Sequence, residues 1–272
     1  MSKLDTIYAA DPQTALPMSA LLYALMNPAS TDDDVGITVN DLLAQILGTI
    51  IDGVRLSWDS TTSITVGTGL LVAENRDVIN ITSAITKSSL SLSASTIYHV
   101  YVYLSSGTPA AEVVTTAPAA WKGTAYSKTG DTSRRYVGSI LTDGSSNVYC
   151  FFHNPADNAI KYARAALAGA PFRVLSAGTA ASATAVALTG VIPVTAAEVL
   201  LRVAQSGNQI VYVGESSGLS TTLYTNLYPA VVDDNHIDYT AVPLSGTSIY
   251  YLFASSPTGG LSLDVVGYKF NR

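Results

Sequence analysis

Hydrophobic and polar positions follow three different rhythms along this chain, and the changes between them divide it. Residues 1–36 keep no period: Pro12, Pro17 and Pro28 surround a short apolar run at 21–26, and Asp32, Asp33 and Asp34 close the segment. From Asn40 the spacing becomes helical. Asn40 suits an N-cap, Asp41 suits the positive first turn, and LLAQILGTII continues until Asp52-Gly53 stops it. Val39, Leu43, Ile46 and Ile50 form a two-heptad seam, widened by Leu42, Leu47 and Ile51 beyond what one helix hides alone. The seam residues are candidates for oligomerisation contacts, and packing against the following β segment satisfies the same pattern.

From Val54 the period is two, which predicts strands: Ile64/Val66, Leu90/Leu92/Ala94 and the run YHVYVYL at 98–104 all alternate. In that run Tyr98, Val100, Val102 and Leu104 share one face and His99, Tyr101 and Tyr103 the other, so both faces are expected to be covered. Three strand pairs read as hairpins: RYVGSIL with VYCFFH across 142–147, VLLRVAQ with QIVYVGE across 206–208, and SIYYLFA with LSLDVVGYKF across 255–260. Between the strand-rich halves, NPADNAIKYARAALAG at 154–169 predicts a helix, with Pro155 and Asp157 at its start and Gly169 at its end. Ala156, Ile160, Ala163 and Leu167 repeat the heptad-like spacing, which adds Ile160, Ala163 and Leu167 to the oligomerisation candidates. The expected fold is mainly β: two antiparallel β-sandwich or jelly-roll-like domains at 53–153 and 171–272. A connector helix at 154–170 joins them, behind an N-terminal attachment arm and helix at 1–52.

Composition narrows the partners. Charged residues make up 12% of the chain, the net charge is −6, and Lys and Arg nowhere cluster, so a nucleic acid is not expected. No stretch reaches the roughly 18 apolar residues of a spanning helix, and no membrane insertion is expected. The start MSKLDTIYAADPQ lacks the basic and apolar regions of a secretory signal, so synthesis in the cytoplasm is expected. The single cysteine, Cys150, lies in an apolar run and reads as a small core residue.

Two groupings invite chemistry. Gly214-Glu215-Ser216-Ser217-Gly218 matches the pattern of a hydrolase nucleophile elbow, with Asp233 and His236 following in order. An elbow requires a helix directly after the serine, whereas GLSTTLYTNLYP is β-branched and turn-rich, so a loop between strands is expected and no catalytic residue is assigned. A glycan esterase using Ser216 is the enzymatic alternative. Asp233, Asp234, Asn235, His236 and Asp238 are dense in ligand atoms but match no calcium loop, and His99, His153 and His236 are scattered; no metal or cofactor is expected. Tyrosine is abundant, 16 against five Phe and two Trp. Its flat apolar face with a hydroxyl suits sugar stacking, which makes Trp121, Tyr224, Tyr228 and Tyr239 candidates for glycan contact against ordinary packing.

Three stretches carry a family resemblance: TDDDVGITVNDLLAQIL at 31–47; the run from YHVYVYL through SKTGDTSRRYVGSILTDGSSNVYCFF, especially Asp131, Arg134, Arg135, Tyr136, Val137 and Gly138; and the ending with Gly267-Tyr268. Together they resemble appendage proteins of tailed bacteriophages, the tail fibres and related receptor-binding or virion-decorating proteins. The resemblance implies a structural protein on the virion exterior, homotrimeric and held to other virion proteins by its N-terminal arm. It would present C-terminal β structure to a host-surface glycan or protein; a capsid fibre or decoration protein is the alternative. The chain is short for a long fibre and lacks closely spaced His-x-His pairs, which favours a compact appendage.

Overall fold

The computed structural model describes residues 51–154, 156–163, 169–207, 209–221, 228–230 and 236–272. Val39, Leu43, Ile46, Ile50, Leu167 and Tyr224 lie outside these. The chain begins with six short strands: β1 (Ile51–Gly53), β2 (Leu56–Ser60), β3 (Ser63–Val66), β4 (Gly69–Val72), β5 (Val78–Ile81) and β6 (Ile85–Lys87). Then come β7 (Ile97–Ser105), β8 (Thr108–Val114), β9 (Pro118–Lys122), β10 (Ala125–Lys128) and the long β11 (Asp131–Leu141). Next are β12 (Phe151–Asn154), β13 (Ala159–Tyr162), β14 (Arg173–Gly178), β15 (Thr184–Ala187) and β16 (Ala196–Gln205). The last five are β17 (Val211–Gly214), β18 (Tyr228–Ala230), β19 (His236–Pro243), β20 (Ser248–Phe253) and β21 (Leu261–Phe270). The described residues are mainly β and contain no helix, and the named strands pair antiparallel throughout.

Four sheets result. One has nine strands, running β19-β16-β21-β13-β12-β2-β3-β6, with β14 beside β13 on the same edge of β21. The others are β8-β7-β11-β10-β9, β15-β20-β17-β18 and β1-β4-β5. The nine-stranded sheet draws strands from both sides of residues 154–170. Its inner face meets β11 where Tyr136 packs edge-on against Phe270, and it meets β20 where the Ala180 amide, just beyond β14, donates to the Tyr251 hydroxyl at 3.3 Å. One continuous hydrophobic cluster, from Val54 and Leu56 to Tyr268 and Phe270, fills the space between the layers.

The structure corrects several expectations. Ala159–Tyr162, placed in a connector helix, is a strand between β12 and β21. The polar residues read as a helix start form a turn instead: Asn154 Oδ1 accepts from the Ala156 amide and Asp157 Oδ1 from the Ala159 amide, and Asn158 takes φ +51°. Ile160 is therefore buried inside this fold at 1% exposure and Ala163 is exposed past the strand end, so they do not share a helical stripe. The three hairpins also part company after their turns. The chain folds back at 142–147, with Thr142 bridging Val148, but β12 then pairs with β13 and β2. Likewise β16 and β17, and β20 and β21, lie in different sheets. Each of these turns carries the chain from one sheet to another. Leu90, Leu92 and Ala94 form no strand; they pass through a loop whose Ser93 amide donates to the Tyr98 hydroxyl at 2.7 Å. Cys150 is half-buried rather than a core residue.

Candidate functional site

Alternation along the nine-stranded sheet sends Val199, Leu201 and Val203 of β16 inward, and Leu200, Arg202 and Ala204 outward. Their partners on β19, Ala241, Tyr239 and Ile237, are exposed on the same outer face. β19 is the edge strand, so nothing within the sheet flanks it there, and Tyr239 keeps 63% of its surface open. A groove of about 480 Å³ runs along this face, lined by Lys161, Leu200, Tyr239, Thr240, Ala241 and Val266. The register irregularity between Leu200 and Leu201, opposite Gly267 and Val265, brings Val266 into the groove. Gly267 is required where β13 passes, because a methyl there would lie 2.2 Å from the Ile160 carbonyl oxygen.

Beside the groove sits a charge triad. Register aligns Arg173 of β14, Asp264 of β21 and Arg202 of β16 in one row. Asp264 is fully buried; Arg173 donates to it through Nε at 2.9 Å and Nη2 at 3.2 Å, and Arg202 through Nη1 at 2.5 Å. Two guanidinium groups thus share one carboxylate, and bonding to it raises the Arg173 pKa further. Further along, Lys269 pairs with Glu198 at 2.7 Å, which holds its ammonium above the usual range. On the neighbouring strand β12 the face carries Phe152, half exposed, with the Arg55 guanidinium 4.8 Å from its ring centre.

Beyond the triad the strands end in a knot of loops. Gln205 Nε2 donates to the Gln209 carbonyl at 2.6 Å, Gln209 Oε1 accepts from the Thr258 amide at 3.0 Å, and the Ser206 amide donates to the Gly260 carbonyl at 3.1 Å. A second hollow of about 250 Å³ opens here between Arg202, Gln205, Ser206, Ile237, Gly260 and Ser262.

Among the described glycan candidates, Tyr239 lines the groove. Trp121, on edge strand β9, is half-buried with its Nε1 enclosed, and the buried Arg135 guanidinium lies 5.7 Å from its ring centre. Tyr239 and Trp121 thus lie in different sheets. Tyr228 lies on β18, with its backbone opposite Val213. The elbow-like segment is a turn after β17: Ser216 is exposed, its Oγ accepts from the Gly218 amide at 3.1 Å, its carbonyl accepts from the Leu219 amide, and residues 217–221 form no helix. Of the ligand-rich group, Asp233, Asp234 and Asn235 lie outside the described residues, and His236 and Asp238 belong to β19. Lys161, Arg173, Arg202 and Asp264 were not singled out from the sequence. The available signal was a lone charge at the centre of an otherwise apolar strand, as in VLLRVAQ and LSLDVVG. Comparison of this chain with known proteins finds no matching family model, no similar curated protein and no similar solved structure.

Proposed function

We propose that the protein is a structural component of a tailed-phage particle, a trimeric tail-fibre or tail-tip appendage. It attaches through residues 1–52 and turns its β structure toward the host surface. The helical seam of Val39, Leu43, Ile46 and Ile50 holds the trimer, and the arm before it meets other virion proteins. The reading is supported by one observation, the polarity of the β fold. Arg272, following β21, donates to the Val54 carbonyl at 2.7 Å and the Gly53 carbonyl at 3.1 Å, so the end of β21 is tied to the point where the N-terminal residues enter. The knot of loops at 205–210 and 255–260 lies at the opposite end of the ten-residue β21, about 30 Å away at roughly 3.3 Å per residue. One end thus serves attachment and leaves the other, with the groove between, facing outward.

Light scattering on the purified chain is expected to give three copies of the 28.4 kDa unit, and the chain lacking residues 1–50 a single copy whose far-ultraviolet spectrum keeps the β signal and loses the helical one. A full-length monomer at micromolar concentration counts against the seam. Immunogold labelling of particles carrying the protein is expected at the tail, whereas label on the capsid shell moves the assignment to a decoration protein.

A further inference from the structure

Resting on the surface-binding reading above, we infer that the outer face of β16, β19 and β21 is a binding groove for an acidic glycan, with Tyr239 as the stacking platform and Lys161 and Arg202 as the anion contacts. The groove, about 480 Å³, falls within the ~300–1,000 Å³ range of small-molecule sites. A pyranose ring presents an apolar face of C–H groups and a rim of hydroxyls, and an exposed tyrosine complements both. Tyr239 is the most exposed large side chain in the hydrophobic class among the described residues, and Leu200, Ala241 and Val266 continue the apolar floor beside it.

Charge selects the class of sugar. The chain carries −6 overall, yet the groove holds Lys161 and is bordered by a triad in which Arg173 and Arg202 face the single carboxylate of Asp264. The arginine side chains stay 27% and 18% exposed, so they present positive charge to solvent while fixed in place by Asp264. A carboxylate or phosphate on a sugar ring stacked on Tyr239 meets this excess at the rim of the groove. A neutral apolar occupant would strip water from Lys161 without replacing it. A two-fold contact with a second copy of the chain would bring the same positive border against itself.

The test is an array of uronate-, sialate- and phosphate-bearing glycans beside neutral glycans of equal length, probed with the full chain, with affinities then measured by calorimetry on the strongest acidic member. Acidic members are expected to bind at least about tenfold more tightly than neutral ones. Tyr239→Ala lowers that affinity about tenfold or more while Tyr239→Phe retains it, and Lys161→Gln narrows the gap between acidic and neutral members. Both positions are exposed strand sites, and unchanged melting temperatures show that the variants fold. The inference is overturned by equal binding of acidic and neutral members, by absence of binding to any, or by affinities indifferent to both Tyr239→Ala and Lys161→Gln. It is overturned equally if these variants convert an oligomer of the full chain to smaller species, which makes the face a contact between copies. Acidic-glycan binding by a protein that labels no particle retains the groove and removes the phage reading alone.

Discussion

The hydroxyl of Tyr268 donates to the carbonyl of Ser139 at 3.1 Å across 129 residues of sequence, inside the core. Beside it the Tyr136 hydroxyl lies 2.8 Å from both Ser139 Oγ and Thr195 Oγ1. Burial pushes both tyrosine pKa values above the usual phenol range, so these groups act as hydrogen-bonding neutral hydroxyls at any working pH. The rings continue the link: Tyr136 packs on Phe270, Phe270 on Tyr268, and Tyr268 on Tyr162. Tyr268→Phe is expected to cost about 1–2 kcal/mol, because it leaves the buried Ser139 carbonyl without this donor. Both tryptophans, Trp58 and Trp121, lie before residue 154, so their fluorescence reports that part while circular dichroism reports all strands. The two signals are expected to change together in urea; separated midpoints would mean that the halves unfold independently.

Gly138 sits on β11 at φ +153°, and a methyl group there would lie 2.6 Å from Leu56 Cδ1 and 3.4 Å from the Phe270 ring. Gly138→Ala adds backbone strain and overpacks the layer interface, at a cost of about 2 kcal/mol or more. Gly144 has open space around its Cα, and Gly144→Ala is expected to stay within about 0.5 kcal/mol of the parent. Denaturant midpoints of the two variants decide the point, and equal values would refute the close packing of β11 on β2 and β21.

Two buried histidines predict acid sensitivity. Desolvation lowers His99 to about 4 and, with Arg272 and Arg55 nearby, lowers His153 to about 3. Both therefore stay neutral in the fold: His153 Nδ1 accepts from the Leu56 amide at 3.0 Å, and His99 Nδ1 is bonded to Ser139 Oγ at 2.8 Å. Unfolded histidine takes up its proton near pH 6.5, so between about pH 6.5 and pH 4 the unfolded state binds more protons than the folded one. Stability is expected to be full above pH 7 and to fall steadily as pH drops through that window. Urea unfolding across pH 4–8 measures the slope, and the double change His99→Asn and His153→Asn should flatten it. A slope that survives both substitutions assigns the acid sensitivity to other groups.

The Arg173–Asp264–Arg202 row predicts an unequal mutational pattern. Asp264→Asn leaves two adjacent guanidinium groups with no anion between them and is expected to cost about 2–4 kcal/mol, the arginines' partial exposure keeping it below the cost of a fully buried pair. Arg173→Ala or Arg202→Ala leaves Asp264 with one partner and is expected to cost about half as much. Thermal unfolding at low salt ranks the three, and an Asp264→Asn variant as stable as either arginine variant would refute the unequal pattern.

Much of the strand content was legible because burial on a pleated surface imposes period two. Ile64 and Val66 alternate inward on β3, and Tyr98 to Val102 on β7 are buried on both faces, as the doubly apolar run indicates. The same rule misled at Leu90, Leu92 and Ala94, where apolar side chains pack from a loop, and in the alanine-rich segment after Asn154, where helix-like spacing coexists with a turn and a strand. Among the glycan candidates, Tyr239 and Trp121 looked alike in sequence. Both lie on edge strands, and their difference is a matter of neighbours: Tyr239 stays 63% exposed, whereas Trp121 packs over the buried Arg135 guanidinium.

The sequence by itself determined that this is a β protein, which stretches bury a face, and where turns interrupt them, because those properties depend on side-chain alternation and local backbone preference. Only the tertiary structure decided which strands pair, that strands from both halves share one sheet, and that Lys161, Arg173, Arg202, Asp264 and Tyr239 gather on one outer face. Sheet register joins residues more than a hundred positions apart through backbone hydrogen bonds that any residue but proline can make, so the local sequence carries no record of the partner.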